Sequence, residues 1–564
     1  MIIADTVFVN GKIASLDKCS TFHRSLAIKD GFIIEVGQDE DVQEYIGEKT
    51  EVIDLAGKLV LPGIHDAHTH IASWGSTLFT CCCGEPEVSN LEELRAQLSK
   101  SVEKLKPGEW IRGDGLDPAL IESSLGRKLD HRDIDDITQN NPVVIQDIYC
   151  HMAFANAKAM EIAGVTKDTP KPDGGEIDHL ENGELSGMFH EAGATVLVMK
   201  HLPNWTEEEM RKIICNSQRL LNENGITSYT ESTIGPANNT REAGRAGENT
   251  IFIYKDLEEE KLLTCRVSIN FYPGKDGYQT AELMEKQMLS FPFPSFDNPD
   301  WIKMDSVKIF CDGVYLAHTS WMLEDYPDTK GNHGCSVLGT LGSSDDEQKE
   351  ELHKQILCAH RHGYQVCIHA IGDRAIEACI EGYIKAYKEY PGKDLRHYVI
   401  HPEGLCNNTQ VALAAKYGVG FSVQPGMGAY LVEPTMALLG PDRKSSFGMK
   451  KILDYGVCAA GGFDAISGPY PRWQDAIQFC VTRRTVTGKV YAPEQKISVD
   501  QAIRLYTSNG AYQEHRENIL GTLEFGKAAD LIVLDQDIFS IEHEEIGKTQ
   551  VLMTMVGGNI VYKQ

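Results

Sequence analysis

The chain has 564 residues, of which 42% are hydrophobic and 24% charged, a composition typical of globular proteins and unlike disordered or fibrous ones. Its 54 Lys and Arg against 82 Asp and Glu give a formal net charge of −28, and no basic stripe interrupts it, which argues against a nucleic-acid partner. The first residues lack the pattern of a secretory signal, and no run approaches the roughly 20 apolar residues that span a bilayer, so we expect a soluble, cytoplasmic protein without a membrane partner.

Both ends of the chain carry alternating apolar sequence that predicts β-strands. The strand-like runs are 7–13, 25–37, 529–535 and 551–562. Neither end has enough strands for a stable sandwich of its own. We therefore predict one small β-sandwich domain that residues 1–60 and 515–564 build together.

Between the two ends, short apolar runs alternate with helical patterns, which is typical of βα units and a parallel sheet. Eight such runs occur, at 58–64, 226–231, 265–269, 306–310, 365–368, 397–400, 418–423 and 457–461. Eight parallel strands close a barrel. The predicted fold class is α/β, with a (β/α)8 TIM-type barrel over residues 61–514.

The first two of these runs are separated by far more sequence than one βα connection needs. Within that gap, 141–145 is strand-like and 155–164 is helix-like with a glycine at its end. We therefore predict a folded insertion over about 72–224.

Polar side chains that bind metals occur at the ends of five of the eight runs, where the chemistry of such barrels lies. They are His68, His70, Lys308, His369, His401 and Asp464. His68 and His70 are two residues apart, so in extended backbone both point to the same side and can hold one ion. Each residue alone is a weak signal, but their coincidence on one series of strands predicts a divalent metal site.

The same segments resemble a known family over nearly the whole chain. The similar motifs are PGIHDAHTH, VKIFCDG, VCIHAIGDRAI, YVIHPEG, GGFDA and GTLEFGKAADLIVLD. They resemble the amidohydrolase superfamily, and within it the family 3 group that includes N-substituted formamide deformylases. The resemblance implies a (β/α)8 barrel with a β-sandwich built from both termini, in agreement with the strand pattern.

For the metal site, the resemblance implies one or two divalent ions, with Zn²⁺ as the first expectation and Mn²⁺ or Fe²⁺ as alternatives. His68 and His70 would bind one ion together with Asp464, and His369 and His401 would bind the second. Asp464 would also contact the reacting water and act as general acid and base.

Lys308 is the candidate bridge between the two ions. An amine cannot bridge two cations, so this role requires carboxylation of the side chain to a carbamate. The alternative is an ordinary Lys308 ammonium that stabilises an oxyanion beside a single metal.

Two positions depart from the family pattern. The family usually carries an acidic residue before the sixth-strand histidine and a serine before the eighth-strand aspartate, whereas this chain has Ile400 and Phe463. Neither change removes a ligand, so we expect it to alter the groups that orient the ligands.

The predicted function is hydrolysis of an amide or formamide C–N bond, other than a peptide bond, in a small molecule. Specificity would lie in the loops and the insertion. There the candidates for lining or supporting the pocket, each with helix capping or another structural role as the competing interpretation, are His151, Asn156, Asp312, Thr319 and Asp373.

Three other functions stay open at this point. Deaminases on this scaffold commonly place a glutamate near the fifth-strand histidine, whereas this chain has Gly372-Asp373-Arg374, which favours amide hydrolysis. Lactone or carbamate hydrolysis needs the same attack on a carbonyl carbon. A catalytically inactive scaffold would be expected to lose ligands, and all six positions here are competent.

The resemblance also implies a homo-oligomer, with a dimer as the expected form.

Overall fold

The computed structural model describes residues 2–148, 152–172, 175–236, 245–274, 279–336, 344–466 and 470–564. The strands in chain order are β1 (Thr6–Val9), β2 (Lys12–Ala14), β3 (Phe22–His23), β4 (Ser25–Lys29), β5 (Phe32–Gly37), β6 (Glu51–Asp54), β7 (Leu59–Pro62), β8 (Ile64–Thr69), β9 (Cys81–Cys82), β10 (Ile111–Leu116), β11 (Val143–Asp147), β12 (Met152–Ala155), β13 (Glu176–His179), β14 (Leu185–His190), β15 (Ile226–Gly235), β16 (Ala246–Gly247), β17 (Arg266–Phe271), β18 (Ile302–Phe310), β19 (Gln365–His369), β20 (Tyr398–Ile400), β21 (Gly420–Val423), β22 (Ala459–Gly461), β23 (Leu531–Leu534), β24 (Val551–Val556) and β25 (Asn559–Lys563). The α-helices are α1 (Ile71–Thr77), α2 (Leu91–Lys104), α3 (Pro118–Leu125), α4 (Arg132–Thr138), α5 (Ala157–Ala163), α6 (Glu191–Met199), α7 (Glu207–Glu223), α8 (Asn249–Glu259), α9 (Ala281–Ser290), α10 (Asp345–Arg361), α11 (Asp373–Glu389), α12 (Asn408–Tyr417), α13 (Gly428–Leu439), α14 (Met449–Asp454), α15 (Trp473–Thr482), α16 (Val499–Leu505) and α17 (Ser508–Gln513).

A nearly closed parallel barrel forms the centre of the molecule and confirms the predicted fold class. Its eight strands follow one another in the order β8, β15, β17, β18, β19, β20, β21 and β22, and the short β16 adds to the edge of β15. Apolar side chains of these strands and of the surrounding helices share one buried cluster. The parallel order places the carboxyl ends of all eight strands at one face of the barrel, where βα loops carry chemistry.

The first barrel strand differs from the sequence expectation. The apolar run 58–64 predicts a single strand, but β7 pairs with β23 in a different sheet and the barrel strand β8 begins only at Ile64. The change of sheet occurs at Gly63, where a Cβ atom would lie 2.1 Å from Thr227 Oγ1. An apolar run does not indicate where the chain passes from one sheet to another. Because β8 extends to Thr69, His68 lies inside the barrel strand.

Both ends of the chain contribute to a two-layer arrangement of sheets. One sheet has the order β5-β4-β1-β6, and the other has the order β25-β24-β23-β7-β2-β3, which joins the N-terminal and C-terminal segments. Side chains from the two sheets share a buried cluster that includes Phe8, Leu26, Leu531 and Met555. The domain boundaries 1–60 and 515–564 remain a proposal.

A separate sheet lies in the chain between β8 and β15, with the order β13-β14-β12-β11-β10-β9. Its strand β11 and helix α5 lie close to the predicted strand and helix, and Gly164 ends α5 in the left-handed conformation (φ 67°). Across the residues that the structure describes, no helix is both long and apolar enough to span a membrane.

Candidate metal centre

Three imidazoles surround one carboxylate at the carboxyl face of the barrel. Asp464 Oδ1 lies 3.3 Å from His68 Nε2 and 3.2 Å from His70 Nε2, and its Oδ2 lies 3.7 Å from His401 Nε2. One ligand atom each from His68, His401 and Asp464 can be chosen so that all lie within 4.8 Å of one another. The structure thus brings together four of the six predicted metal ligands around one point.

The backbone of the first and eighth strands explains this convergence. The amide of Asp464 donates a hydrogen bond of 2.8 Å to the carbonyl of His68, so the two ligands come from adjoining chain segments. A Cβ atom at Gly462 would lie 2.7 Å from the backbone nitrogen of His68, so only glycine permits this approach. Asp464 itself adopts a positive φ of 51°, which turns its side chain out of the strand direction.

The remaining two predicted ligands adjoin this group. The ring centroid of His369 lies 4.9 Å from that of His401 and 5.5 Å from that of Phe310. The Nζ atom of Lys308 lies 4.7 Å from the centroid of Phe310, and the Lys308 side chain is fully buried. All six residues are therefore gathered at one end of the barrel.

Each of three histidines has one ring nitrogen engaged away from Asp464. His68 Nδ1 lies 2.8 Å from Ser232 Oγ. His369 Nε2 donates to the carbonyl of Gly313 at 3.3 Å, and His401 Nδ1 donates to Gln424 Oε1 at 2.5 Å. Because a carbonyl oxygen only accepts, these bonds leave His369 Nδ1 and His401 Nε2 with free lone pairs.

Burial determines the protonation of this group. Burial lowers the pKa of His401 to about 4 and holds the pKa values of His68 and His369 well below their ordinary value. Burial alone would raise the pKa of Asp464, but His401 and the contacts of His68 and His70 outweigh it and hold that pKa well below its ordinary value. Neutral imidazoles beside an ionised carboxylate are the protonation states that metal binding requires.

Two buried polar atoms test whether the site suits a metal. Within the described residues, His68 Nε2 and Lys308 Nζ make no hydrogen bond, although both are inaccessible to solvent. Such atoms are costly to bury unless they have a partner. Nitrogen and oxygen donors of this kind suit Zn²⁺, Mn²⁺ or Fe²⁺, so the residues present fit a divalent ion.

A buried carboxylate, Asp66, ties the first strand to the eighth. Its Oδ1 accepts hydrogen bonds from the backbone amides of His68 (3.1 Å) and Phe463 (3.0 Å), and its Oδ2 accepts from the hydroxyl of Tyr470. The Phe463 ring stacks on Tyr506 with 5.0 Å between centroids. The departure at Phe463 therefore fills the core, while its amide still orients the ligand strand.

The predicted substrate residues occupy different places. Asn156 caps helix α5, where its Oδ1 accepts from the amides of Ala159 and Val143 (2.9 Å each) and its Nδ2 donates to Thr138 and to the carbonyl of Asn141. Every polar atom of this side chain thus serves the insertion. His151 lies outside the described residues.

Asp312 and Thr319 shape the loops next to His369. Asp312 accepts from the backbone amides of Ile371, Gly372 and Trp321, and burial raises its pKa to about 7 despite these bonds. Thr319 Oγ1 accepts from the amide of Val314 (3.0 Å) and closes the loop after β18. These contacts fix the conformation of the loops next to His369.

Asp373 is the first residue of α11, and its Oδ1 accepts from the amide of Leu323 at 2.8 Å. Its Oδ2 lies 4.0 Å from the guanidinium of Arg443. The cap of α11 is Gly372, which has no side chain, so capping does not explain Asp373.

The sequence pattern did not single out the side chains that hydrogen-bond the imidazoles of His68 and His401. Ser232 and Gln424 are both placed at or just after a barrel strand, as the six predicted ligands are. The same rule, applied to the second and seventh strands, would have found them. The carbonyl of Gly313 left no signal, because a backbone oxygen does not depend on residue type.

Comparison with known proteins agrees with this geometry. The sequence pattern of the amidohydrolase family matches residues 51–562. The chain is 27% identical to Protein LONG AFTER FAR-RED 3 of Arabidopsis thaliana, over 100% of this chain and 92% of that protein. It is 25% identical to N-substituted formamide deformylase of Arthrobacter pascens, over 99% and 98% of the two chains.

A solved structure shares the fold. An uncharacterized metal-dependent hydrolase from Pyrococcus horikoshii superposes with a TM-score of 0.74, covering 95% of this chain and 99% of that one at 22% sequence identity. This likeness concerns the path of the backbone, including the barrel on which the six residues are placed.

Proposed function

This chain belongs to the amidohydrolase family, and from this premise and its similarity to an N-substituted formamide deformylase we propose that it cleaves an amide or formamide bond, other than a peptide bond, of a small molecule. The observation that carries the proposal is the ionised Asp464 carboxylate held among His68, His70 and His401. A carboxylate in this setting can move a proton between water and a leaving nitrogen.

We assign the first divalent ion, with Zn²⁺ as the first choice, to His68, His70 and Asp464. The second belongs to His369 and His401. A bound ion of this kind supplies Lewis acidity and lowers the pKa of water from 15.7 to about 7. The hydrogen bonds from the other ring nitrogens of His68, His369 and His401 support this assignment, because they fix which nitrogen of each ring is left for a ligand bond.

Lys308 is proposed to bridge the two ions as a carbamate. Burial lowers the pKa of its amine to about 8, so a larger fraction is neutral than for an exposed lysine. Only the neutral amine can add to the carbon of CO₂, with loss of one proton from nitrogen. Among the described residues, Nζ has no hydrogen-bond partner, so no such bond has to be broken when the amine is carboxylated.

Asp464 performs the proton transfers. It accepts a proton from the attacking water and donates it to the departing nitrogen, since an amide nitrogen leaves only as an amine. The pKa of Asp464, held well below its ordinary value, keeps the carboxylate ionised at neutral pH, the state from which it can accept a proton.

Deamination is the second candidate reaction, and the contacts of Asp373 count against it. That carboxylate accepts from the amide of Leu323 and faces Arg443. An acid committed to these partners does not serve a reacting ring near His369.

The test is a product screen by mass spectrometry. Purified protein is supplied with Zn²⁺ or Mn²⁺ and a panel of N-aryl and N-alkyl formamides, acetamides, cyclic ureides, lactones and aminopurines. We expect a free amine and a carboxylate, and a loss of about 10²–10⁴-fold in turnover for Asp464→Asn, which keeps the size of the side chain. Ammonia release would instead identify a deaminase, and undiminished turnover of Asp464→Asn would refute the role of Asp464.

By the same family membership, we propose a cytoplasmic homodimer. Sedimentation velocity on the purified chain measures the oligomeric state directly. A monomer at micromolar concentration would contradict the dimer and leave the catalytic proposal intact.

A further inference from the structure

A second group of metal-binding side chains lies on the outside of the barrel, on the two helices that follow β17 and β18. Glu285 belongs to α9, Cys358 belongs to α10, and His362 directly follows the end of α10. One ligand atom from each of the three lies within 4.8 Å of the other two. None of these residues takes part in the catalytic group.

The helical backbone explains why these side chains meet. Cys358 and His362 are four residues apart, and α10 remains helical at His362 (φ −80°, ψ −3°), so both side chains share one face. Glu285 approaches from α9, and its Oε1 lies 3.3 Å from His362 Nε2. Two side chains at this spacing, joined by a third from a neighbouring helix, form a common arrangement of metal ligands.

The three residues differ in how far their side chains are exposed to solvent. Cys358 is 5% exposed, whereas the side chains of His362 and Glu285 are 31% and 36% exposed. The sulfur is therefore protected from solvent, while the nitrogen and oxygen ligands face it. An ion can enter from this side and keep water in the remaining coordination position.

A positive charge already occupies the neighbourhood. The guanidinium of Arg361 pairs with Glu285 and lowers the pKa of the Cys358 thiol, although burial and Glu285 raise that pKa by more. The carboxylate and the sulfur therefore already favour a cation between α9 and α10. The Arg361 side chain is 42% exposed, so it can turn into solvent when an ion takes its place.

We propose that Glu285, Cys358 and His362 bind a thiophilic divalent cation of the Zn²⁺ class, at a site separate from the catalytic centre. Binding replaces the thiol proton of Cys358 with the metal and releases that proton to solvent. One sulfur, one imidazole nitrogen, one carboxylate oxygen and a water complete four-coordination, which Zn²⁺ prefers. The bound ion ties α9 to α10 on either side of β18, the strand that carries Lys308.

Cobalt distinguishes this site from the catalytic one by spectroscopy. The chain is stripped with a chelator and titrated with Co²⁺, which takes zinc sites and absorbs in the near ultraviolet only when a thiolate is a ligand. The catalytic residues offer nitrogen and oxygen donors alone, so this charge-transfer band reports Cys358 whether or not the catalytic proposal holds.

We expect the band to reach an amplitude that corresponds to one thiolate-bound Co²⁺ per chain, whatever further Co²⁺ the catalytic residues take up, and to disappear in Cys358→Ser. Cys215→Ser is the matched control, because Cys215 is a partly buried thiol on another outer helix, α7. Glu285→Gln and His362→Gln should keep the thiol but weaken cobalt binding by more than the roughly 10- to 100-fold that loss of an outer-shell partner costs. Arg361→Gln should tighten it.

The proposal is overturned if the wild-type chain develops no such band, or if the band survives Cys358→Ser or is lost in Cys215→Ser. Circular dichroism of each variant checks folding. If Cys358→Ser does not fold, the two glutamine variants decide the matter, because unchanged cobalt affinity in both would also exclude the site.

Discussion

Gln424 has a clear task at the scale of the single residue. Its Oε1 accepts the Nδ1 proton of His401, and its backbone amide donates to Glu403 Oε1 at 2.7 Å. Glu403 is buried, and burial raises its pKa to about 7. The residue whose side chain selects the tautomer of His401 is thus held through its backbone by a second buried carboxyl group.

Replacing this glutamine should weaken the metal site without removing a ligand. In Gln424→Leu, His401 Nδ1 loses its acceptor, so we expect metal affinity to fall about 10- to 100-fold. Competition with a colorimetric chelator measures the affinity. Gln474→Leu is the control. Gln474 is a similarly buried residue of α15, and its side chain donates to the carbonyl of Thr549 instead of contacting the site. Equal affinities in the two variants would contradict the assigned role.

The clustering of the six candidate ligands could be predicted because each is a distinctive residue type at or near the end of a predicted strand. The neighbours that orient them could be predicted less well. Gln424 and Ser232 are uncharged, and such residues end many strands without a function. The sequence predicts that Asp312 lines or supports the pocket or has a structural role, and its carboxylate accepts hydrogen bonds from the backbone of the loop after His369. The choice between these roles depends on which backbone amides converge on it, and a sequence does not record that.

At the scale of the element, a buried pair of histidines joins α10 to the start of β20. The backbone amide of Val366 donates to His397 Nδ1 at 2.9 Å, so the proton of His397 is on Nε2 and donates to His360 Nδ1 at 2.8 Å. His360 Nε2 then donates to the carbonyl of Tyr390 at 3.0 Å. This chain of bonds works only while both imidazoles are neutral.

We expect this pair to make the protein sensitive to acid. Burial holds the pKa of His397 well below its value of about 6.5 in the unfolded chain, so below pH 6.5 the unfolded chain binds a proton that the folded chain does not. The free energy of unfolding therefore falls with decreasing pH, by roughly 1 kcal/mol per pH unit for this group, until the folded pKa is reached. Above pH 6.5 His397 is neutral in both states and has no such effect.

Urea unfolding between pH 7.5 and pH 5 measures this slope. His397→Phe is the comparison, because a phenyl ring can keep its place between Tyr383 and Tyr387, whose rings stack on His397 at 5.0 and 5.1 Å. The variant should be less stable at neutral pH and should have a shallower dependence on pH. Identical slopes would show that His397 does not titrate as proposed.

The elements of the barrel were predictable to within a few residues because buried parallel strands are short, apolar and separated by amphipathic helices. The run 58–64 was the exception. Residues 59–64 of this run carry no polar side chain because β7 and the start of β8 are both buried, although in two different sheets. The boundary between them depends on contacts with β23 and β15, which lie far away in the chain.

At the scale of the whole molecule, a buried ion pair connects the barrel to the terminal sheets. Arg266 on β17 donates from Nε and Nη2 to the two carboxylate oxygens of Asp530 at 2.7 and 3.0 Å, and both side chains are about 5% exposed or less. The guanidinium also lies 4.7 Å from the ring centroid of Trp301. Asp530 further accepts from the amide of Gly557.

Removing this carboxylate should destabilise the whole chain. Asp530→Ala leaves the buried charge of Arg266 unpaired, so we expect the free energy of unfolding to fall by about 3–5 kcal/mol. Asp537→Ala is the control, because its pair with Lys12 also joins segments far apart in the chain but is partly exposed. Its loss should cost about 1 kcal/mol or less. Urea denaturation followed by tryptophan fluorescence measures both, and equal losses would refute the distinction.

The pairing of β7 with β23 also means that the first strands cannot complete their contacts until late in synthesis. The strand that carries His68 leaves the ribosome early, but Asp66 must wait for Phe463, which is 397 residues away in the chain. At about 5–20 residues per second, that interval lasts roughly 20–80 s. During this time the edge of β7 that pairs with β23 has no partner, because β23 is made later still. His68 and Asp464, whose backbones are joined by a hydrogen bond, therefore come together only when most of the chain has been made.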